Sequence, residues 1–280
     1  MGIVNVTPDS FSDGGLFLDA QAAVAHGREL VAQGADILDI GGESTRPGAE
    51  PVGEAEELRR VVPVIERLAG TPDAQISIDT SKAAVARAAL AAGATLVNDV
   101  SALRADPAMA DVVAGSGADC CLMHMLGEPR TMQHDPRYED VVDDVKAFLE
   151  ERLRFAVAAG VREERVLLDP GIGFGKTLQH NLELLRRLDE LRVLGRPLVV
   201  GTSRKSFLGR LLADARGQRE PAEVGERLPG TIATSVMAYE RGGSVFRVHD
   251  VAPVRAALLA AAATLGAWSA TAPPAARTTT

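Results

Sequence analysis

What most constrains this chain is its rhythm. A short apolar run, a polar or glycine-bearing loop and a helical stretch recur about eight times along the sequence. The apolar runs are Gly2–Val6, Ala35–Ile40, Ile76–Asp79, Thr95–Asn98, Asp119–His124, Arg165–Asp169, Pro197–Gly201 and Ser244–His249. Each has the length of a strand and not of a helix. Helical stretches fall between them: Asp19–Gln33 with Asp19 as N-cap, Gly53–Leu68, Lys82–Ala92, Pro107–Ala114, Val141–Ala159 and Leu178–Leu191. Another begins near Lys205, a polar insert covers Asp214–Arg227, and Gly230–Glu240 and Ala252–Leu265 complete the series. Strands separated by helices pair in parallel, and eight such units close on themselves. The expected fold is α/β, a single-domain (β/α)8 TIM barrel over residues 1–268, with a low-complexity, disordered tail over 269–280.

Composition narrows the function classes. Aromatic residues make up only 4% of the chain, which favours aliphatic helix-on-sheet packing. A formal charge of −8 leaves no basic surplus for neutralising nucleic-acid phosphates, so no nucleic-acid partner is expected. The longest apolar runs fall far short of the ~20 residues that a membrane crossing takes, so no membrane partner is expected either. Two adjacent cysteines, Cys120 and Cys121, make neither a disulfide framework nor a zinc spacing; reduced thiols in a strand suit a cytoplasmic protein. The sequence opens four residues before its first polar strand tip. The bottom of the barrel is therefore either open or covered by residues upstream.

Barrel active sites lie at the C-terminal strand ends. Read in order, those ends carry Asn5, Glu43 to Arg46, Asp79, Asn98, His124, Asp169, Ser203-Arg204-Lys205, and Arg247 with His249. One such residue is readily a cap or loop residue. Repeated delivery of charges and amides by apolar strands is not explained by packing, because burying a polar group costs several kcal/mol unless it is paired. Strand order sets Asp79 beside Asn98 and Asp169 near Lys205, while closure brings Arg247 and His249 to flank Asn5. Period-two alternation sends Arg247 and His249 to one side and Phe246 and Val248 to the other. The mouth is expected to have two halves: carboxylates, an amide and a lysine for a flat heterocycle, and Arg, His and Asn for an anion or metal-bound phosphate.

One stretch, RVLLDPGIGFGKT (Arg165–Thr177), resembles a phosphate cradle. A Walker loop would need glycine at position 170, where Pro170 stands, and the unit is the sixth strand and not a first nucleotide-binding turn. A dinucleotide fold fails too, since Thr7-Pro8-Asp9 follows the first strand in place of Gly-x-Gly-x-x-Gly. His124 and His134 have no useful metal spacing, and His124 reads as a satisfied strand-end histidine.

The segments NVTPDSFSDGG (Asn5–Gly15), GGESTRPG (Gly41–Gly48), SIDTSK (Ser77–Lys82), NDVS (Asn98–Ser101), LMHM (Leu122–Met125), LLDPGIGFGKT (Leu167–Thr177), GTSRKSFLG (Gly201–Gly209) and RVHDV (Arg247–Val251) closely resemble the dihydropteroate synthase family. The resemblance spans nearly the whole chain in the family's order. It implies a barrel enzyme of folate synthesis, usually a homodimer, that joins hydroxymethyl-dihydropterin pyrophosphate to p-aminobenzoate with help from Mg²⁺. It implies further that Asn5 is the metal and pyrophosphate ligand, that Asp79, Asn98, Asp169 and Lys205 contact the pterin, and that Arg247 and His249, with Thr45 and Arg46, hold the pyrophosphate. Phe11, Thr45, Pro47, Phe174, Lys205 and Ser206 fall to p-aminobenzoate, Asp13 to loop closure, and Lys205, Asp79 and Asp169 to catalysis. A related barrel that holds methyltetrahydrofolate for methyl transfer would share the strand-tip Asp and Asn residues. DSFSDGG, TSRKS and RVH favour the synthase.

Overall fold

The structure, a computed structural model, describes residues 1–6, 15–44, 49–127 and 131–266, with backbone alone for 15–19. Eight parallel strands form one sheet in sequence order: β1 Gly2–Asn5, β2 Ile37–Gly41, β3 Gln75–Asp79, β4 Leu96–Asp99, β5 Asp119–Met123, β6 Val166–Asp169, β7 Leu198–Val200 and β8 Gly243–Phe246. Closure comes just past β8, where the Val248 N–H donates to Met1 O at 2.9 Å and the Ile3 N–H donates to Val248 O at 3.0 Å. The sheet is therefore the expected barrel, wrapped by α1 Gly15–Ala32, α2 Glu54–Leu68, α3 Ala83–Ala91, α4 Met109–Ser116, α5 Val141–Ala158, α6 Leu178–Arg186, α7 Ser206–Ala215, α8 Leu228–Glu240 and α9 Val251–Thr264. No described helix is long and apolar enough to cross a membrane.

Period two builds the interior. Outward strand residues such as Leu38, Ile78, Val97, Leu168 and Val200 pack with the helices in the main core. Inward residues Leu96, Cys121 and Val199, with Ile37, Leu167 and Val245, form a separate apolar plug around Met1. The next inward residue is polar or glycine along five of these six strands, Asp39, Asn98, Asp169, Gly201 and Arg247, and Met123 on β5. One apolar layer thus seals the barrel floor and lifts a polar layer to the mouth.

Boundaries shift by a residue or two along the chain, and three departures from the sequence reading matter most. The first helix begins at Gly15, so Asp19 lies inside it and is not its N-cap. The helix expected over Leu178–Leu191 ends at Arg186, and a 3-10 helix covers Leu188–Leu194. Leu185, Leu188 and Leu191 are spaced by three and all buried, and three residues per turn keeps such a row on one face. The last strand ends at Phe246, so Arg247 and His249 lie beyond regular strand, although the Arg247 N–H still donates to Val200 O. The expected tail, 269–280, lies outside the described residues.

Candidate active site

Asp39 is the centre of the mouth, and the sequence reading missed it. It is fully buried on β2 and accepts three hydrogen bonds: Ser77 Oγ at 2.6 Å, Asn98 Nδ2 at 3.0 Å and Arg247 Nε at 2.6 Å. Arg247 also gives Nη2 to Asp79 Oδ2 at 2.7 Å. The two expected halves of the mouth are therefore joined, because Arg247 crosses the barrel and serves as counter-ion to the carboxylate half. Burial of guanidinium pulls its pKa down, but Asp39 and Asp79 outweigh that and hold it above its ordinary value. Two of its five N–H donors are committed to these carboxylates.

Register explains the cluster. Ser77 pairs with Leu96 and Asp79 with Asn98 between β3 and β4, while Gly41 pairs with Asp79 between β2 and β3. Asp79 and Asn98 therefore share a level just above Asp39. Burial pushes the Asp79 carboxyl up to about 7; Arg247 opposes the rise, and the carboxylates of Asp39, Glu57 and Asp99 add to it. A carboxyl balanced near neutrality in a cleft is a mark of function.

Asp169 ends β6 and accepts the Gly171 N–H at 2.7 Å. Its pKa is raised by burial, against the pull of Lys205. Lys205, at the N-cap of α7, donates to the Ile172 carbonyl, and its Nζ lies 4.5 Å from the centroid of the Phe174 ring. Burial lowers the Lys205 ammonium to about 8, with Asp169 opposing and Arg247 assisting. Asp169 and Lys205 thus lie on the same side of the mouth, whose apolar part is Phe174 over Met123, Met125 and Met132. Ser206 is exposed at the start of α7.

The glycine loop is held from behind by the lysine that resembled a phosphate ligand. Lys176 is only 3% exposed, and its Nζ lies 2.9 Å from Gly171 O, 3.0 Å from Phe174 O and 2.9 Å from His124 Nδ1. Burial, then Lys205, pulls its pKa well below the ordinary value. His124 is driven to about 2 by burial and by the Lys176 and Arg104 charges, so it is neutral, and it meets the Phe148 ring edge-on at 4.8 Å. Gly171 has φ +67°, and a Cβ there would overlap the His124 carbonyl. Only glycine lets this turn lie against the end of β5.

On the opposite rim, the His249 N–H donates to Ser203 Oγ at 3.1 Å, and the same Oγ lies 3.0 Å from His249 Nδ1. The adjoining residues pair as well, Arg204 gripping both oxygens of Asp250 at 2.9 and 2.5 Å. Asn5 stands partly exposed at the tip of β1. Among the described residues no group of three His, Cys, Asp or Glu side chains is arranged to cage a metal ion.

Of the residues expected at the site, Asp79, Asn98, Asp169, Lys205, Phe174, Arg247, His249 and Asn5 all lie at the C-terminal end of the barrel. Phe11, Asp13, Thr45, Arg46 and Pro47 lie outside the described residues. Besides Asp39, the sequence reading missed Ser77 and the role of Lys176. An inward signal for Asp39 was present, since it sits two residues before a glycine strand end and in step with Asp79.

A family model described as pterin binding enzyme matches residues 1–249. The chain is 46% identical over 269 residues to a dihydropteroate synthase of Escherichia coli (strain K12), covering 95% of this chain and 92% of that protein. A structure of Xanthomonas albilineans dihydropteroate synthase with 4-aminobenzoic acid has a TM-score of 0.87 at 48% identity, covering 98% of this chain and 93% of that one. The dihydropteroate synthase of the same organism in complex with 7,8-dihydropteroate has a TM-score of 0.84 at 45% identity, covering 98% and 94%.

Proposed function

The chain belongs to the pterin-binding enzyme family and carries the dihydropteroate synthase activity of its relatives; we propose that it joins 6-hydroxymethyl-7,8-dihydropterin pyrophosphate to p-aminobenzoate by a dissociative displacement at the mouth just described. The observation that carries this reading is the convergence of Asp79, Asn98, Asp169, Lys205 and Arg247 at the C-terminal end of the barrel, beside a phenyl ring. A pterin's amino-pyrimidinone edge offers N–H donors that Asp169 can accept, while Lys205 donates to a ring oxygen or nitrogen. Asp79 and Asn98 complete the pterin contacts. Phe174 and Ser206, with Phe11, Thr45 and Pro47, serve p-aminobenzoate, whose ring would lie along the Phe174 wall.

The nucleophile is the substrate's own amine, so no activated Ser or Cys is needed. Arg247 retains donors for the departing pyrophosphate, and His249 with Asn5, Thr45 and Arg46 adds to that clamp. Asp79 and Asp169 favour positive charge developing on the pterin methylene, and Asp13 belongs to loop closure that excludes water. The donor set fits Mg²⁺: a hard amide oxygen at Asn5, with no three-residue cage among the described residues, suits an ion carried mainly by phosphate oxygens and water. Bound there, Mg²⁺ would neutralise charge on the leaving pyrophosphate. The reading also takes the enzyme as a homodimer and as cytoplasmic, the latter in keeping with two free, buried thiols, Cys120 and Cys121.

The test is purified protein with pterin pyrophosphate, p-aminobenzoate and Mg²⁺, scored for pyrophosphate release. Release should require p-aminobenzoate, and p-aminobenzoate should bind tightly only when pyrophosphate is present. Release that is indifferent to p-aminobenzoate, or tight binding of p-aminobenzoate to the empty enzyme, would overturn the reading.

A further inference from the structure

We propose that Ser203 is a positioning residue that locks His249 in the tautomer with its proton on Nε2, so that the imidazole presents an N–H donor to the anion in the mouth. The bookkeeping of one hydroxyl carries this. A serine Oγ has one hydrogen to give and two lone pairs. Ser203 Oγ accepts the His249 backbone N–H at 3.1 Å, which uses one lone pair and fixes the hydroxyl beside the ring. The same oxygen is 3.0 Å from His249 Nδ1. If Nδ1 carried the proton, the oxygen would accept twice from one residue, and its own hydrogen would be turned away from the strongest acceptor in reach. Ser203 is only 5% exposed, so an unplaced hydroxyl hydrogen has little water to turn to. The satisfied arrangement has the hydroxyl donating to a bare Nδ1, which puts the ring proton on Nε2.

The backbone shows why Ser203 can do this. Arg204 has φ +57°, a left-handed conformation that non-glycine residues adopt rarely. It is held there on several sides: its N–H donates to Thr231 Oγ1 at 3.1 Å, Arg227 Nη1 donates to its carbonyl at 3.0 Å, and its guanidinium grips Asp250. This kink turns the chain sharply between Ser203 and Lys205, so that consecutive loop residues serve opposite sides of the mouth. Ser203 reaches the loop after β8, and Lys205 reaches the loop after β6. The Arg204–Asp250 pair, one residue beyond Ser203–His249 on both loops, latches the two loops in register.

The inference rests on the pyrophosphate reading of His249 only for its consequence. The tautomer itself can be observed directly, by two-bond ¹H–¹⁵N correlation of ring-labelled, full-length protein at a pH where the imidazole is neutral, with His249→Gln for assignment. In the wild-type protein His249 should show a bare Nδ1 and a protonated Nε2. Ser203→Ala should move both ring nitrogens towards a mixture of tautomers, and Ser203→Thr, which keeps the hydroxyl, should restore the wild-type pattern. Magnesium pyrophosphate should bind Ser203→Ala about 10-fold more weakly, with bare pterin affinity unchanged and a lower thermal midpoint, since the His249 N–H loses its acceptor. A protonated Nδ1 in the wild type, or ring shifts that ignore Ser203→Ala, would overturn the proposal. A tautomer shift with unchanged pyrophosphate affinity would uphold the lock and remove His249 from the pyrophosphate clamp, so the two failures are distinguishable.

Discussion

Replacing Arg247 by methionine tests the most consequential contact of the mouth, its double hydrogen bond to Asp39 and Asp79. Methionine keeps much of the apolar stem and removes the charge. Asp39 is fully buried and Asp79 is 7% exposed, so both carboxylates lose their common cation where water cannot replace it. Breaking a buried pair from one side costs about 3–5 kcal/mol. For a domain of this size that is a fall in Tm of roughly 6–20 °C. The size of the loss should depend on pH, and the sign follows from Asp79. Its folded pKa, about 7 against an ordinary 3.8, is raised. The folded state thus holds a proton that the unfolded state has lost, and stability falls as pH rises between those values. Without Arg247, the chief influence opposing the rise, the folded pKa moves higher still. The variant then goes on losing stability above pH 7, where the wild type has stopped. Urea unfolding of the ligand-free proteins at pH 6 and pH 8.5 should show a gap that widens at the higher pH. Asp79→Asn in the Arg247→Met background should recover part of the loss, as a double-mutant cycle with coupling of about 0.5–3 kcal/mol. A variant as stable as wild type at pH 8.5, or a gap that shrinks with pH, would refute the counter-ion account. Because Asp79 becomes protonated in this variant, bare pterin should also bind more weakly, so the arginine's two roles are separated only through the cycle.

Lys205 is lowered to about 8, so kcat/KM should fall as pH rises through that value, and in Lys205→Arg the alkaline limb should vanish from whatever activity remains; a limb that stays put belongs to another group. Lys176→Met strands the Gly171 and Phe174 carbonyls, and about 2–6 kcal/mol of stability should go with them. Steady-state kinetics should show the KM for p-aminobenzoate rising as the Phe174 wall loosens, and an unchanged KM would detach this clamp from the site. Lys82→Met leaves the buried Glu57, one of whose oxygens already lacks a partner, without its cation; a loss of about 3 kcal/mol should be largely relieved by Glu57→Gln, as thermal unfolding can measure.

The fold was legible because barrel staves announce themselves twice, by apolar runs of strand length and by the helices between them. Boundaries were less so where tertiary packing chose among helix types, as at Leu185, Leu188 and Leu191. Strand-tip residues could be found by position alone: Asp79 and Asp169 end their strands, Asn98 stands one residue before the end of its own, and alternation does the rest. Asp39 escaped because it lies mid-strand, where a carboxylate is expected to be costly. It is tolerated there because Ser77, Asn98 and Arg247 come from three other strands or their tips, and no linear pattern displays that convergence. For the same reason Arg247 gave no sign of its pairing with Asp39 and Asp79. Its side of the strand was predictable, but not the carboxylates waiting across the barrel.

Lys176 shows how far a motif can be right in composition and wrong in meaning. Gly175-Lys176-Thr177 looks like a phosphate grip because glycines free the backbone and a lysine follows. In this barrel the backbone freedom serves close packing. A Cβ at Gly175 would lie 2.5 Å from the Leu126 carbonyl, and one at Gly171 would overlap that of His124. The lysine then turns away from solvent and ties the loop to itself and to the end of β5. Its threonine caps α6 by accepting the His180 N–H at 3.2 Å. With every member of the motif engaged in holding the loop, what the loop offers the cavity is the Ile172 carbonyl and the Phe174 ring, both aimed at Lys205. Such a wall suits a flat arylamine beside a pterin. On the proposed reading the anion chemistry falls to the opposite rim, where β1, β7 and β8 bring up Asn5, Ser203, Arg247 and His249.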